Sequence, residues 1–301
     1  AGTEVVFDNV MCSQDTAASM LGIQQQGATE ASLVWLEVGK CVVESDSPGG
    51  PWRPCPQPMS LGTRAYTCSV PLLDSARYFR LAQGFCCFDS FNTVPGLWGL
   101  TWATTSVVPG ETARPSSVLP YAQGRAGIMG VGTRNADFMF RWSNSLWYRD
   151  CVGTVDVVDW GEAMEDATFG ILLRARPETE MWFNNTAGLP EERYAGLLTF
   201  KKADNPVESA LSITGPGGEL LKEQRFAAVN PDKQYRLRFW AVGDQLTLEL
   251  FDKENLDAPI QTINATDGRV GEGMDGLYGT KSAGGTYQVW IDQYVLNGTT
   301  Q

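Results

Sequence analysis

The chain has 301 residues, 43% of them hydrophobic, which supports a packed core and excludes an intrinsically disordered polymer. A net charge of −12 without any long basic run excludes a nucleic-acid face and docking on anionic lipid. Histidine is absent, which removes Ser-His-Asp and Cys-His nucleophiles, His-ligated zinc and histidine general bases together.

The first element in chain order is a strand within residues 1–12. Val6, Asp8 and Val10 alternate with Val5, Phe7, Asn9 and Met11, giving one mainly apolar face. The pattern is echoed near the other end of the chain by Val289-Trp290-Ile291-Asp292-Gln293-Tyr294-Val295-Leu296. Residues 1–19 are read as a strand and linker, with Val5, Val6, Phe7 and Val10 adding to the sheet of another copy.

Short strands are expected next at residues 31–37, 40–45, 64–70 and 76–82, in a module spanning residues 20–84. Cys12, Cys41, Cys55, Cys68, Cys86 and Cys87 all fall within the first 87 residues, and Cys151 stands apart. Without a CxxC or a histidine, the cysteines read as disulfide formers in an oxidising compartment. Cys86 and Cys87 point oppositely in a strand and so pair with different partners. Cys151 is expected to bond to Cys86 or Cys87, and the odd count leaves one thiol free or joined between chains. The start at Ala1 fits a signal peptide already removed.

A boundary is placed near Gly84, and residues 85–301 form the larger domain. Strands are expected at residues 155–160, 169–175, 196–200, 210–214 and 286–296. The clearest element is a hairpin over 235–251. Tyr235, Leu237, Phe239 and Ala241 share one face, Arg236, Arg238 and Trp240 the other, and Gly243-Asp244 form the tip. No run approaches the roughly 18 apolar residues of a membrane helix.

Residues 20–83 resemble the fibronectin-III-like modules of large secreted bacterial surface proteins. The likeness rests on Ser32-Leu33-Val34-Trp35, Cys41-Val42-Val43-Glu44-Ser45, Gly49-Gly50-Pro51-Trp52 and Ser75-Ala76-Arg77-Tyr78-Phe79-Arg80-Leu81. Residues 85–301 resemble the concanavalin A-like (laminin-G-like) jelly rolls of the same proteins. That likeness rests on Phe88-Asp89-Ser90-Phe91, Trp147-Tyr148-Arg149-Asp150 and Val155-Asp156-Val157-Val158-Asp159-Trp160. It continues through Tyr235-Arg236-Leu237 to Ile291-Asp292-Gln293-Tyr294. The resemblance implies an all-β chain: a small fibronectin-III-like β-sandwich followed by a concanavalin A-like jelly-roll β-sandwich. It also implies a secreted setting, while its members range from sugar binders to hydrolases to structural modules. The added Cys41, Cys55 and Cys68 depart from the family pattern.

Gly271-Glu272-Gly273-Met274-Asp275-Gly276 fits GxGxxG, but the strand-like Leu277-Tyr278-Gly279 after it argues for a turn rather than a dinucleotide site. Asp156, Asp159 and Glu162 resemble the paired carboxylates of jelly-roll glycanases. The odd separation of Asp156 and Asp159 puts them on opposite faces of a regular strand, and they read as a solvated edge. Glu178 and Glu180 share a face, beside Pro177 at a strand rim. Most of the ten tryptophans read as core, with Trp98 and Trp102 in a Gly-rich stretch as the exposed glycan-stacking candidates. Asp89 and Asp292, on neighbouring first and last strands, are calcium candidates. Asn184, Asn264 and Asn297 begin N-x-T sequons.

The sequence thus reads as a non-catalytic, extracellular or cell-surface structural or adhesive protein. Its partners are copies of itself in a fibre or array, with carbohydrate binding as the alternative and a carboxylate-based glycoside hydrolase third.

Overall fold

A computed structural model describes residues 22–25, 30–35, 39–57, 59–61, 66–71, 77–89, 102–107, 126–131, 136–142, 147–159, 167–176, 191–201, 208–230, 232–281 and 286–300. The strands among them are β1 (Gly22–Gln25), β2 (Glu30–Trp35), β3 (Lys40–Ser45), β4 (Arg53–Pro54), β5 (Met59–Leu61), β6 (Tyr66–Pro71) and β7 (Tyr78–Asp89). They continue with β8 (Trp102–Val107), β9 (Ala126–Val131), β10 (Ala136–Trp142), β11 (Cys151–Asp159), β12 (Ala167–Arg176), β13 (Glu192–Lys201) and β14 (Glu208–Thr214). The last are β15 (Leu220–Ala227), β16 (Tyr235–Val242), β17 (Gln245–Asp252), β18 (Gln261–Thr266), β19 (Met274–Lys281) and β20 (Thr286–Thr299). No helix among the described residues is long and apolar enough to cross a membrane.

The fold is all-β, with a jelly-roll sandwich as its larger part. One sheet runs β15-β14-β13-β12-β19-β10-β8. The facing sheet runs β18-β17-β16-β11-β20-β7-β3-β4, with β9 also paired to β20. Period-2 alternation decides which side chains meet between them. Phe169, Ile171, Leu173, Leu198, Leu211 and Ile213 of the first sheet enclose a common core with Val155, Val157, Leu237, Phe239, Leu248 and Ile291 of the second. Each such side chain contributes about 1.5–3 kcal/mol by leaving water. The expected hairpin is present: Tyr235 pairs with Asp252, Val242 pairs with Gln245, and Gly243 supplies φ of 58° at the tip.

The N-terminal part is a smaller sandwich. A sheet β1-β2-β6-β5 packs its buried Leu33, Trp35, Cys68 and Val70 against Val42 and Cys55 from the β3–β4 side. The strand joining this part to the jelly roll is β7. Residues Tyr78–Gln83 pair with β3, and Gly84–Asp89 pair with the closing half of β20. Gly84 therefore lies inside an unbroken strand, at the point where it changes partner. A side chain there would collide with the Gly298 carbonyl and the Cys41 Sγ, so only glycine fits.

Two irregularities reset strand faces. Register shifts flank Asp156, and Gln293 opposite has φ of 49°. As a result Asp156 pairs with Asp292 and Asp159 with Trp290, two residues apart on β20. Asp156 and Asp159 therefore share a face, against the expectation of opposite faces, because the bulge at Val158 adds a residue to the count.

Candidate functional site

The chain from Trp147 to Asp150 is an irregular segment held rigidly at one end of the sandwich. Tyr148 exchanges two backbone hydrogen bonds with Gly273, at 2.8 and 3.1 Å. Arg149 N–H donates to the Thr299 carbonyl at 2.8 Å, and Thr299 N–H donates to the Asp150 carbonyl at 2.8 Å. Beneath the segment, the buried Arg174 guanidinium donates to the carbonyls of Arg149 (2.6 Å), Gly243 (2.8 Å), Val270 (3.1 Å) and Ala241 (3.3 Å). Arg174 has φ of 51°, a conformation costing roughly 1–3 kcal/mol in a non-glycine residue, which this set of bonds offsets. Gly273 is required because a Cβ would meet the Arg174 backbone.

Tyr148 points into the core, so its neighbours Trp147 and Arg149 point outward. Trp147 is 43% exposed. Of the five tryptophans whose side chains are described it is the exposed one, since Trp52 and Trp290 are half-buried and Trp35 and Trp240 buried. The Arg176 guanidinium lies 5.3 Å from its ring centroid, a cation–π arrangement. Arg176 Nε donates to the Glu272 carbonyl at 2.9 Å, and its terminal nitrogens lie 3.4 Å from Glu192 and 3.5 Å from the Glu272 carboxylate. Arg149 lies 3.5 Å from the same Glu272 carboxylate.

The result is an exposed indole joined through Arg176 to two carboxylates and a second guanidinium, from the ends of β12 and β13, the loop before β19 and the segment before β11. The charges balance, and exposed pairs of this kind hold together by only about 0–1 kcal/mol, so their donors and acceptors remain exchangeable. Sequence reading passed over this cluster. The sequence assigns Trp147 no role of its own beyond the default that most tryptophans pack in the core, with Trp98 and Trp102 as the exposed candidates. The available signal was its outward alternation with Tyr148 and the nearby arginine.

The carboxylates singled out as glycanase-like form a different arrangement. Asp156 is fully buried, not at a solvated edge. Arg236 donates to its two oxygens at 2.6 and 2.9 Å, and Lys253 lies 3.2 Å away. Asp292, opposite it, lies 3.7 Å from Lys253. Burial pushes the Asp292 carboxyl above its usual range and the Asp156 charge adds to this, while Lys253 pulls it down. Both oxygens of Asp156 are committed to cations, which suits a structural ion pair across β11, β16 and β20. Glu162, Glu178 and Glu180 lie outside the described residues.

Among the described residues no group of three or more Asp, Glu, Cys or His side chains is placed to hold a metal. The pairing of β7 with β20 sets Asp89 opposite Tyr294, two residues from Asp292, but the Asp89 side chain is outside the described set. Trp98 lies outside it as well, as do residues 1–12, Cys12 and Asn184. Trp102 opens β8 and pairs with Trp142.

Cys41, Cys55, Cys68 and Cys151 are buried thiols. The expected bond from Cys151 to Cys86 or Cys87 does not fit. In β20, Gly298 pairs with Cys151 on one side, while Asn297 and Leu296 pair with Cys86 and Cys87 on the other. Two strand spacings, roughly 9–10 Å, separate the backbones, beyond the reach of about 7 Å that a disulfide spans. Asn297 is corrected as a glycan acceptor. It is 1% exposed, and its Nδ2 donates to the carbonyls of Cys55 and Gln57. Asn264 is exposed on the edge strand β18, its Oδ1 accepting from Thr247 at 2.8 Å.

No family model matches the chain, and no curated protein matches it. Among solved structures it is similar to the VIP36 exoplasmic/lumenal domain in a Ca2+/Man2-bound form, at 13% identity and a TM-score of 0.49, over 72% of this chain and 88% of that one. It is similar to lectin UEA-II complexed with galactose, at 12% identity and a TM-score of 0.48, over 71% and 98%. LamA from Z. galactanivorans, in complex with laminaritriose and laminaritetraose, gives 10% and 0.49 over 70% and 97%. At these scores the likenesses carry no argument, and the jelly-roll assignment stands on the strand order and the packing of the two sheets.

Proposed function

We propose that this chain is a non-catalytic, extracellular carbohydrate-binding protein, and that a neutral sugar stacks on Trp147. The observation that carries the reading is the exposed indole against Arg176, whose guanidinium also faces Glu192 and Glu272, with Arg149 on the same Glu272 carboxylate. A pyranose offers an apolar face of C–H groups and a rim of hydroxyls that donate and accept. An indole meets the first, and guanidinium and carboxylate groups meet the second. With two positive and two negative side chains the cluster carries no net charge, which favours neutral glycans over acidic ones. Its rigid support in Arg174, Gly273 and Thr299 lowers the entropy lost on binding.

The same reading takes residues 20–84 and 85–301 as two modules of a secreted bacterial protein, the first fibronectin-III-like. Self-assembly through residues 1–12 is the competing proposal. A glycan array probed with the full chain separates the two, alongside light scattering. Binding of neutral glycans by a monomer supports the sugar reading. An array without signal, together with polymers that disappear on deletion of residues 1–12, supports assembly.

A further inference from the structure

Of the four cysteines whose side chains are described, Cys55 and Cys68 are the two that share one buried cluster. Cys55 follows β4 and Cys68 sits in β6, so they come from the two facing sheets of the N-terminal sandwich. Both are buried in its core beside Leu33, Trp35 and Val70, in one cluster fed from both sheets, and Cys68 Sγ lies 3.9 Å from the Gln57 carbonyl, two residues beyond Cys55. Both backbones are pinned. Cys55 N–H donates to the Val42 carbonyl at 2.9 Å, and Cys68 is in register between Leu33 of β2 and Met59 of β5. By contrast, Cys41 sits against Gly84 and Cys151 in the jelly-roll core, neither beside another described thiol.

We propose that Cys55 and Cys68 form a disulfide joining the two sheets of the N-terminal sandwich, made by exchange with a small-molecule or protein disulfide during folding. In the exchange, one thiolate attacks the oxidant's S–S bond, forming a mixed disulfide and releasing one oxidant thiol. The second thiolate then displaces the other oxidant thiol and closes the Cys55–Cys68 bond. The two cysteines lose two protons and two electrons, and the oxidant is reduced to two thiols. The neighbouring Cys68 and, after it, burial hold the Cys55 thiol well above its ordinary range, which suppresses the reactive thiolate once the module has closed. Formation therefore precedes closure, and reversal afterwards is slow because both sulfurs are buried from an attacking thiolate. The bond also steadies a joint, because the carbonyls of Cys55 and Gln57 accept from the buried Asn297 of β20.

The test is peptide mapping of the full chain refolded with oxidised and reduced glutathione, with free thiols alkylated before digestion. Trypsin and a glutamyl endopeptidase together cut after Glu44, Arg64 and Arg77 and leave Arg53-Pro54 intact. This separates Cys41 from residues 45–64, which carry Cys55, and from residues 65–77, which carry Cys68. The expected result is a 45–64/65–77 pair that falls apart on reduction. Alkylation of both cysteines in the oxidised protein overturns the proposal, as does a link from either to any other cysteine.

Discussion

Asp267 is a nearly buried carboxylate whose charge is matched by its neighbours. Its carboxylate accepts from the Tyr194 hydroxyl at 3.0 Å, the Arg269 backbone N–H at 2.9 Å and Arg269 Nε at 2.8 Å, with a side chain 5% exposed. The Arg269 guanidinium is the main cause of its depressed pKa. A carboxyl depressed in the folded state adds stability above its unfolded pKa and loses it as pH falls through the folded value. Asp267→Asn should therefore cost about 1–3 kcal/mol at neutral pH. In urea titrations against the parent, that gap should close as the pH falls below 3.8, the ordinary value. A gap independent of pH would show that shape, not charge, is used here. The sequons offer a second check. In a glycosylating host, Asn264 should carry glycan and Asn297 none, read by mass spectrometry of the folded, secreted protein. A sequon states an acceptor chemistry but not its burial, which is why Asn297 looked equivalent in the sequence.

At the scale of elements, the strands with strict alternation were legible and their ends were not. Residues 40–45 match β3 through a short β-branched run, and the hairpin over 235–251 matches β16 and β17 because apolar and polar residues alternate along most of both strands around a Gly-Asp turn. The strand expected at 76–82 runs on to Asp89, because Gly84 reads as a breaker in sequence but serves as the close crossing of β7, β20 and Cys41. Bulges are equally silent. The register shifts that bring Asp156 and Asp159 to one face carry no glycine, and buried Arg174 at positive φ looks in sequence like any arginine. Gly84→Ala should lower the urea midpoint, at a cost of about 1–3 kcal/mol from overpacking. An unchanged midpoint would contradict the crossing described.

At the scale of the molecule, the two sandwiches share one sheet and a set of contacts across it. Arg53 lies 5.4 Å from the Trp240 ring, and Asn297 reaches into the Cys55–Gln57 turn. The all-β class and the absence of a histidine catalyst were legible from composition and periodicity. The candidate site was not, since it gathers residues spread from Trp147 to Glu272 in the chain at one end of the jelly roll. The account turns on Trp147, and the most direct measurement is calorimetric titration of a neutral oligosaccharide selected on the array. The wild-type chain should bind, and Trp147→Ala should lose affinity by about tenfold or more, some 1.4 kcal/mol. Trp147→Phe should fall between them, and all three should melt within a degree or two of one another, as expected for an exposed side chain. Equal affinity in wild type and Trp147→Ala would contradict the account.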